Sequence, residues 1–180
     1  MSITATFDKE TNILTIEEEG KEKVVLDLGD ISKDYVADET ISTSPKVRAA
    51  ASTTKQNTFI NFEYTITHGS KEKWQLRRPK ENSLVNYYYK NVTRTSSNAS
   101  NLKSFQSNVE SINYYEFVAI RSSLTATELS WLAFILSVPT AGAGTLTAGL
   151  AALGAYGSTL NALIKLHTHA NYARTYYHRV

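Results

Sequence analysis

At 180 residues, with 42% hydrophobic and 20% charged side chains, the chain is long enough for a real core and too apolar to be a disordered polyelectrolyte. It contains no cysteine, which excludes disulfide frameworks and thiolate metal sites. The net charge of +2 conceals a split: residues 1–39 hold eleven acids against four bases, a net of −7, and residues 40–180 hold fifteen bases against six acids, a net of +9. This asymmetry reads either as one solvated β-hairpin that is simply acidic or as an acidic shield over a basic body that meets an anionic surface.

The first 40 residues predict an acidic β-hairpin segment. Thr11–Ile16 and Lys23–Leu28 are β-prone runs around Glu19-Gly20-Lys21, and a Gly-centred loop between such runs is a hairpin signal. Ile3 and Phe7 begin a further strand, with Asp8 to Asn12 as the turn. Residues 41–56 are small, polar and basic and predict a linker or mobile loop, in which Arg48 before three alanines suits either a plain surface loop or an exposed cleavage site. Residues 57–95 predict more strands. Ile60, Phe62, Tyr64 and Ile66 alternate onto one face, and Trp74, Leu76 and Arg78 line a return strand. After the turn at Pro79 to Asn82, a last strand carries Tyr87, Tyr88 and Tyr89.

Residues 96–180 predict a helical region. Leu102, Phe105, Val109, Ile112, Tyr115 or Glu116, and Ala119 step by three and four, so they line one helix face. Thr125 and Glu128 have capping-box spacing and predict a second helix start. From Leu129 to Ile164 no charged residue occurs over 36 positions. Such a tract lies either in protein or in lipid.

Pro139, with Gly142 and Gly144, forms a hinge that divides this tract. The first arm is too short to span a bilayer. The second, Thr145 to Ile164, is about 30 Å long as one helix, close to the hydrocarbon thickness. Trp131, Leu132, Phe134 and Ile135 on the first arm are the candidate insertion residues, with Leu146, Leu150, Leu153, Leu160 and Ile164 on the second. A helix over roughly 145–171 is expected, with a small-residue stripe that suits close helix packing or self-association. Lys165, Tyr172, Arg174, Tyr176, Tyr177 and Arg179 follow as a cationic and aromatic anchor for anionic headgroups.

Dinucleotide, P-loop and nucleophile-elbow motifs are all missing from the sequence. His167 and His169 lie about 200° apart on a helix and cannot share an ion there. Ionisation of His167, His169 and His178 near pH 6 would tune membrane affinity. Arg77, Arg78 and Lys80 beside Trp74 form a basic-aromatic patch without a nucleic-acid recognition motif. The expectation is a non-enzyme without metal, cofactor or nucleic acid.

Asp8 to Ile16, with the hairpin ending Val24 to Leu28, looks like the mature start of some exported Gram-positive proteins. The apolar Pro/Gly/Ala tract with its tail of Tyr172, Tyr176, Tyr177, His178 and Arg179 is similar to large geobacillin-type bacteriocins. The resemblance covers the two ends of the chain and supplies no functional residue to carry over. It implies a secreted antibacterial protein whose signal peptide is absent from this sequence; a cytoplasmic protein is the alternative. The predicted fold class is α+β, with antiparallel strands in the N-terminal half and a helical C-terminal half containing the Pro/Gly-hinged apolar hairpin. The predicted function is permeabilisation of, or insertion into, anionic bacterial membranes, with a membrane surface or envelope target as partner. The other reading is a soluble binding or assembly module in which the tract is a permanent core or an oligomer interface.

Overall fold

Among the described residues antiparallel strands lie in the first half of the chain and helices in the second, so the protein is α+β. The computed structural model describes residues 2–27, 52–81, 83–120 and 125–180. The first sheet is antiparallel, with strands β1 (Ile3–Asp8), β2 (Ile13–Glu18) and β3 (Val24–Asp27) in that order. Asp8 fixes the β1–β2 turn, because its carboxylate accepts the backbone N–H of Glu10 at 2.9 Å. Leu14 and Ile16 on β2 are buried, and the sheet packs on a helix from the apolar tract. Glu17 and Glu18 pair with Lys23 and Lys21 of their own hairpin.

The second sheet has the order β4 (Thr53–Asn57), β5 (Glu63–Thr67), β6 (Lys73–Pro79) and β7 (Tyr87–Thr93), again antiparallel. Here the predicted linker over 41–56 is corrected. Its end is strand β4, in which Thr53 to Asn57 pair with Thr67 to Glu63. Two adjacent threonines supply β preference, but the pairing partner decides the outcome. Arg48 and the cleavage site predicted there lie outside the described residues.

The strand read from residue 58 is shorter than its alternation implies. Thr58 and Phe62 close a turn, with Phe62 N–H donating to Thr58 Oγ1 at 2.9 Å and Asn61 at φ 61. Ile60, Phe62, Tyr64 and Ile66 are nonetheless all buried. Trp74, Leu76 and Arg78 share the inner face of β6.

Among the described residues the helices that follow are α1 (Ala99–Ile120), α2 (Ala126–Ser137), α3 (Ala143–Ala152) and α4 (Gly157–Arg179). Leu102, Phe105, Val109, Ile112, Glu116 and Ile120 form the buried face of α1. It packs along α4, where Ala170 and Ala173 permit close approach. The capping box at Thr125 and Glu128 opens α2, with both reciprocal bonds present.

The single helix expected over 145–171 is two helices. Gly154 takes φ +86 after α3, Ala155 N–H donates to Leu150 O at 2.9 Å, and Gly154 N–H donates to Ala151 O at 2.9 Å. This pair of bonds around a left-handed glycine is a Schellman C-cap, which satisfies the last carbonyls of α3 and turns the chain. Gly157, at φ +58, then opens α4.

Candidate functional site

Three short helical pieces fold the uncharged tract back on itself. Trp131, Leu132, Phe134, Ile135, Leu146, Leu150 and Leu153 are all buried, while Leu160 and Ile164 are half-buried. The insertion candidates are thus core residues. Pro139 is half-buried and Gly142 and Gly144 are exposed, in and just after the link between α2 and α3. With α3 ending at Ala152, the arm expected to reach about 30 Å does not exist as one helix. Among the described residues no helix is long and apolar enough to cross a membrane.

Three side chains clasp this hairpin. Trp131 Nε1–H donates to Leu153 O at 2.9 Å and ties α2 to the end of α3. From α4, His167 Nε2–H donates to Val138 O at 2.9 Å, and Asn171 Nδ2 donates to Pro139 O. The α2–α3 link is therefore held by side chains about one helical turn apart on α4. Sequence reading missed this role for His167 and Asn171. Their i, i+4 spacing carried a signal, but the carbonyls they reach are about 30 residues away in the chain.

Burial holds the His167 imidazole below its ordinary pKa, opposed by the bond to Val138, and the Arg174 charge pushes the same way as burial. Burial also lowers His169 and His178. Charging of these groups is thus displaced below the ordinary histidine range. The unfolded chain takes up these protons at higher pH than the folded one, so stability is complete above about pH 6.5 and declines as pH falls. The melting temperature is expected to drop between about pH 7 and pH 5, with a shallower acid slope in His167→Gln. Parallel slopes in the two proteins would remove His167 from this account.

The C-terminal anchor residues divide. Lys165, Tyr172 and Arg179 are exposed and Tyr176 is half-buried, with Arg179 5.6 Å from the Tyr176 ring centre. Arg174 is half-buried, with its guanidinium 6.0 Å from the Phe62 ring centre, and Tyr177 is buried. Tyr177 meets the basic-aromatic patch of β6 and β7. Arg78 lies 4.6 Å from the Tyr88 ring centre and 5.5 Å from that of Tyr177. Lys80 lies 5.1 Å from the Tyr88 ring centre, and Lys90 lies 4.6 Å from that of Tyr177. On the other face of the β6–β7 hairpin, Arg77 stands 4.5 Å over Tyr87 and pairs with Glu63 at 2.9 Å. The long-range pairing of sheet and last helix is what sequence could not supply.

Positive charge dominates this cluster. Glu81 is the carboxylate that pairs with Arg78, at 2.9 Å, from a largely exposed position on the β6–β7 turn. Burial and then the charge of Arg78 bring the Arg174 pKa down to about 10, with Glu81 opposing. Burial and Arg78 likewise lower Lys90. Arg78 Nε and Arg174 Nε and Nη2 are buried without an acceptor. An orphan donor of this kind typically costs about 1–3 kcal/mol.

Among the described residues no group of three His, Asp or Glu side chains could hold a metal. One surface concavity runs over Thr65, Thr67, Gln75 and Asn91, and another lies between Lys9, Asn12, Thr127 and Tyr156. Neither is lined by a carboxylate or a histidine. The chain matches no family model, no curated protein and no solved structure.

Proposed function

We propose that this chain is a binding module that docks its cationic tyrosine face on anionic bacterial membrane or envelope surfaces, while residues 129–164 serve as its core. The observation that carries this reading is the ring–cation cluster joining β6, β7 and the end of α4, with Arg78, Lys80 and Lys90 on Tyr88 and Tyr177. Tyr88, a member of the cluster, is 43% exposed. Amphipathic rings with cations suit an interface that is apolar on one side and anionic on the other. The same reading makes the protein an exported one that needs no catalytic centre.

Docking is tested by sedimentation with phosphatidylglycerol vesicles against phosphatidylcholine vesicles. Each cation removed near an anionic surface weakens attachment by about 1 kcal/mol, or roughly fivefold. Lys80→Gln with Arg179→Gln is therefore expected to weaken binding to the anionic vesicles by about 25-fold. Equal binding to both vesicle types, or no loss in the double variant, would sink the docking reading.

One observation favours a second reading, in which the tract opens and inserts as in a bacteriocin. The hairpin is segmented by Pro139, Gly154 and Gly157, the last two at positive φ, so it has built-in points of articulation. Trp131 reports on this directly, in a Trp74→Phe background. Docking alone leaves its emission unchanged at saturating vesicles. Insertion shifts it to the blue and releases entrapped dye.

A further inference from the structure

We propose that Arg78 and Arg174 form a receptor for one phosphoryl group, entered from the side that Glu81 occupies. The proposal goes beyond surface docking and does not need it, because a soluble phosphate would fill the same site. Three observations meet here. First, Arg78 is nine-tenths buried as a side chain, yet its Nε donates to nothing, and Nε and Nη2 of Arg174 are in the same condition. Second, the charges do not balance. Among the described residues Glu81 is the carboxylate that acts on both guanidinium groups, while Lys90, beside Tyr177, donates to Val180 O at 2.9 Å. With Glu81 swung away, the two guanidinium charges match those of a phosphate dianion. Third, the remaining bonds hold the two forks without saturating them. Arg174 Nη1 is fixed by Asn171 Oδ1 at 2.9 Å, and Arg78 Nη1 by Pro79 O at 3.0 Å and Glu81 Oε1 at 2.9 Å.

A phosphoryl group has at least two free oxygens with lone pairs in several directions, so it suits donors from two guanidinium planes that are not one fork. A single carboxylate would saturate one fork and leave the other. Glu81 occupies the position of such a carboxylate. Its side chain is 56% exposed, so it can swing into water when a stronger anion arrives. It therefore competes with the ligand instead of helping to bind it.

The test uses the full chain and inorganic phosphate, titrated calorimetrically against chloride at matched ionic strength. Saturable binding of one phosphate per chain is expected. Arg174→Gln is expected to weaken it at least about tenfold, and Glu81→Gln to tighten it by about threefold to tenfold. Vesicles of phosphatidylcholine with and without phosphatidic acid separate the two sources of the group. If inorganic phosphate displaces the chain from phosphatidic acid and Arg174→Gln loses that attachment, a lipid headgroup fills the site. If vesicle binding ignores both changes while phosphate still titrates, the ligand is a soluble phosphate or phosphoester. No saturable phosphate binding overturns the proposal, as does equal binding by wild type and Glu81→Gln. Should Arg174→Gln fail to fold, the exposed Glu81→Gln variant decides alone. Vesicle docking that survives without phosphate binding leaves the docking reading standing and removes this site.

Discussion

Glu116→Ala is expected to lower the unfolding free energy by about 3 kcal/mol, seen as a fall in the urea midpoint at unchanged slope. Glu116 sits on the buried face of α1 at 2% exposure, among leucine, phenylalanine, valine and isoleucine. Its two carboxylate oxygens accept the N–H groups of Phe59, at 2.8 Å, and Ile60, at 2.9 Å. Those groups belong to the turn that joins β4 to β5, so one side chain supplies the ladder bonds the turn cannot make for itself. Alanine would leave both N–H groups without these acceptors beside a new cavity. Glu116→Gln is the sharper comparison, because its amide nitrogen would face a donor with a donor. It should recover less than half of the loss, although its volume is almost unchanged. If glutamine restores full stability, the carboxylate fills space and does not act as the turn's acceptor.

The same residue shows where sequence reading reaches its limit. The α1 stripe is legible because apolar side chains recur every three or four positions, and a carboxylate among them leaves the buried position open between Tyr115 and Glu116. Only the turn 56 residues upstream explains the burial. The β1–β2 and β2–β3 hairpins are legible because Asp8 and Gly20 carry their own turn chemistry. The start of α2 is legible for the same reason, since Thr125 and Glu128 complete a local box. Strand β4 is not, because Thr53 to Asn57 gain their structure from β5. The end of α3 had a local signal in Gly154, which lack of charge on either side obscured. The candidate site was visible in halves, as Arg77-Arg78-Lys80 and as the tyrosines and arginines of the last helix. Their meeting through Arg78, Tyr177 and Lys90 is a tertiary fact that periodicity does not encode.

Docking and insertion differ in what they ask of the α2–α3 contact, and Gly149 is where that contact is tightest. A Cβ built on Gly149 would collide with the Phe134 ring, and its contact with the far ring edge at Cε2 would still be only 3.1 Å. Phe134 is fully buried, so the ring has nowhere to retreat. Overpacking a filled core costs typically about 1–3 kcal/mol, and Gly149→Ala is expected at the upper end of that range. Phe134→Leu makes room at its own cost, so the double variant should be more stable than the sum of the two losses implies, by about 1 kcal/mol or more. Additive losses would mean that the two helices do not touch in this way. The functional consequence runs through the same pair. If the tract opens to insert, Gly149→Ala has already weakened the closed hairpin, and dye release from phosphatidylglycerol vesicles should rise several-fold over wild type. If the tract is a permanent core beneath a docking face, the variant melts earlier yet binds vesicles as before, without leakage.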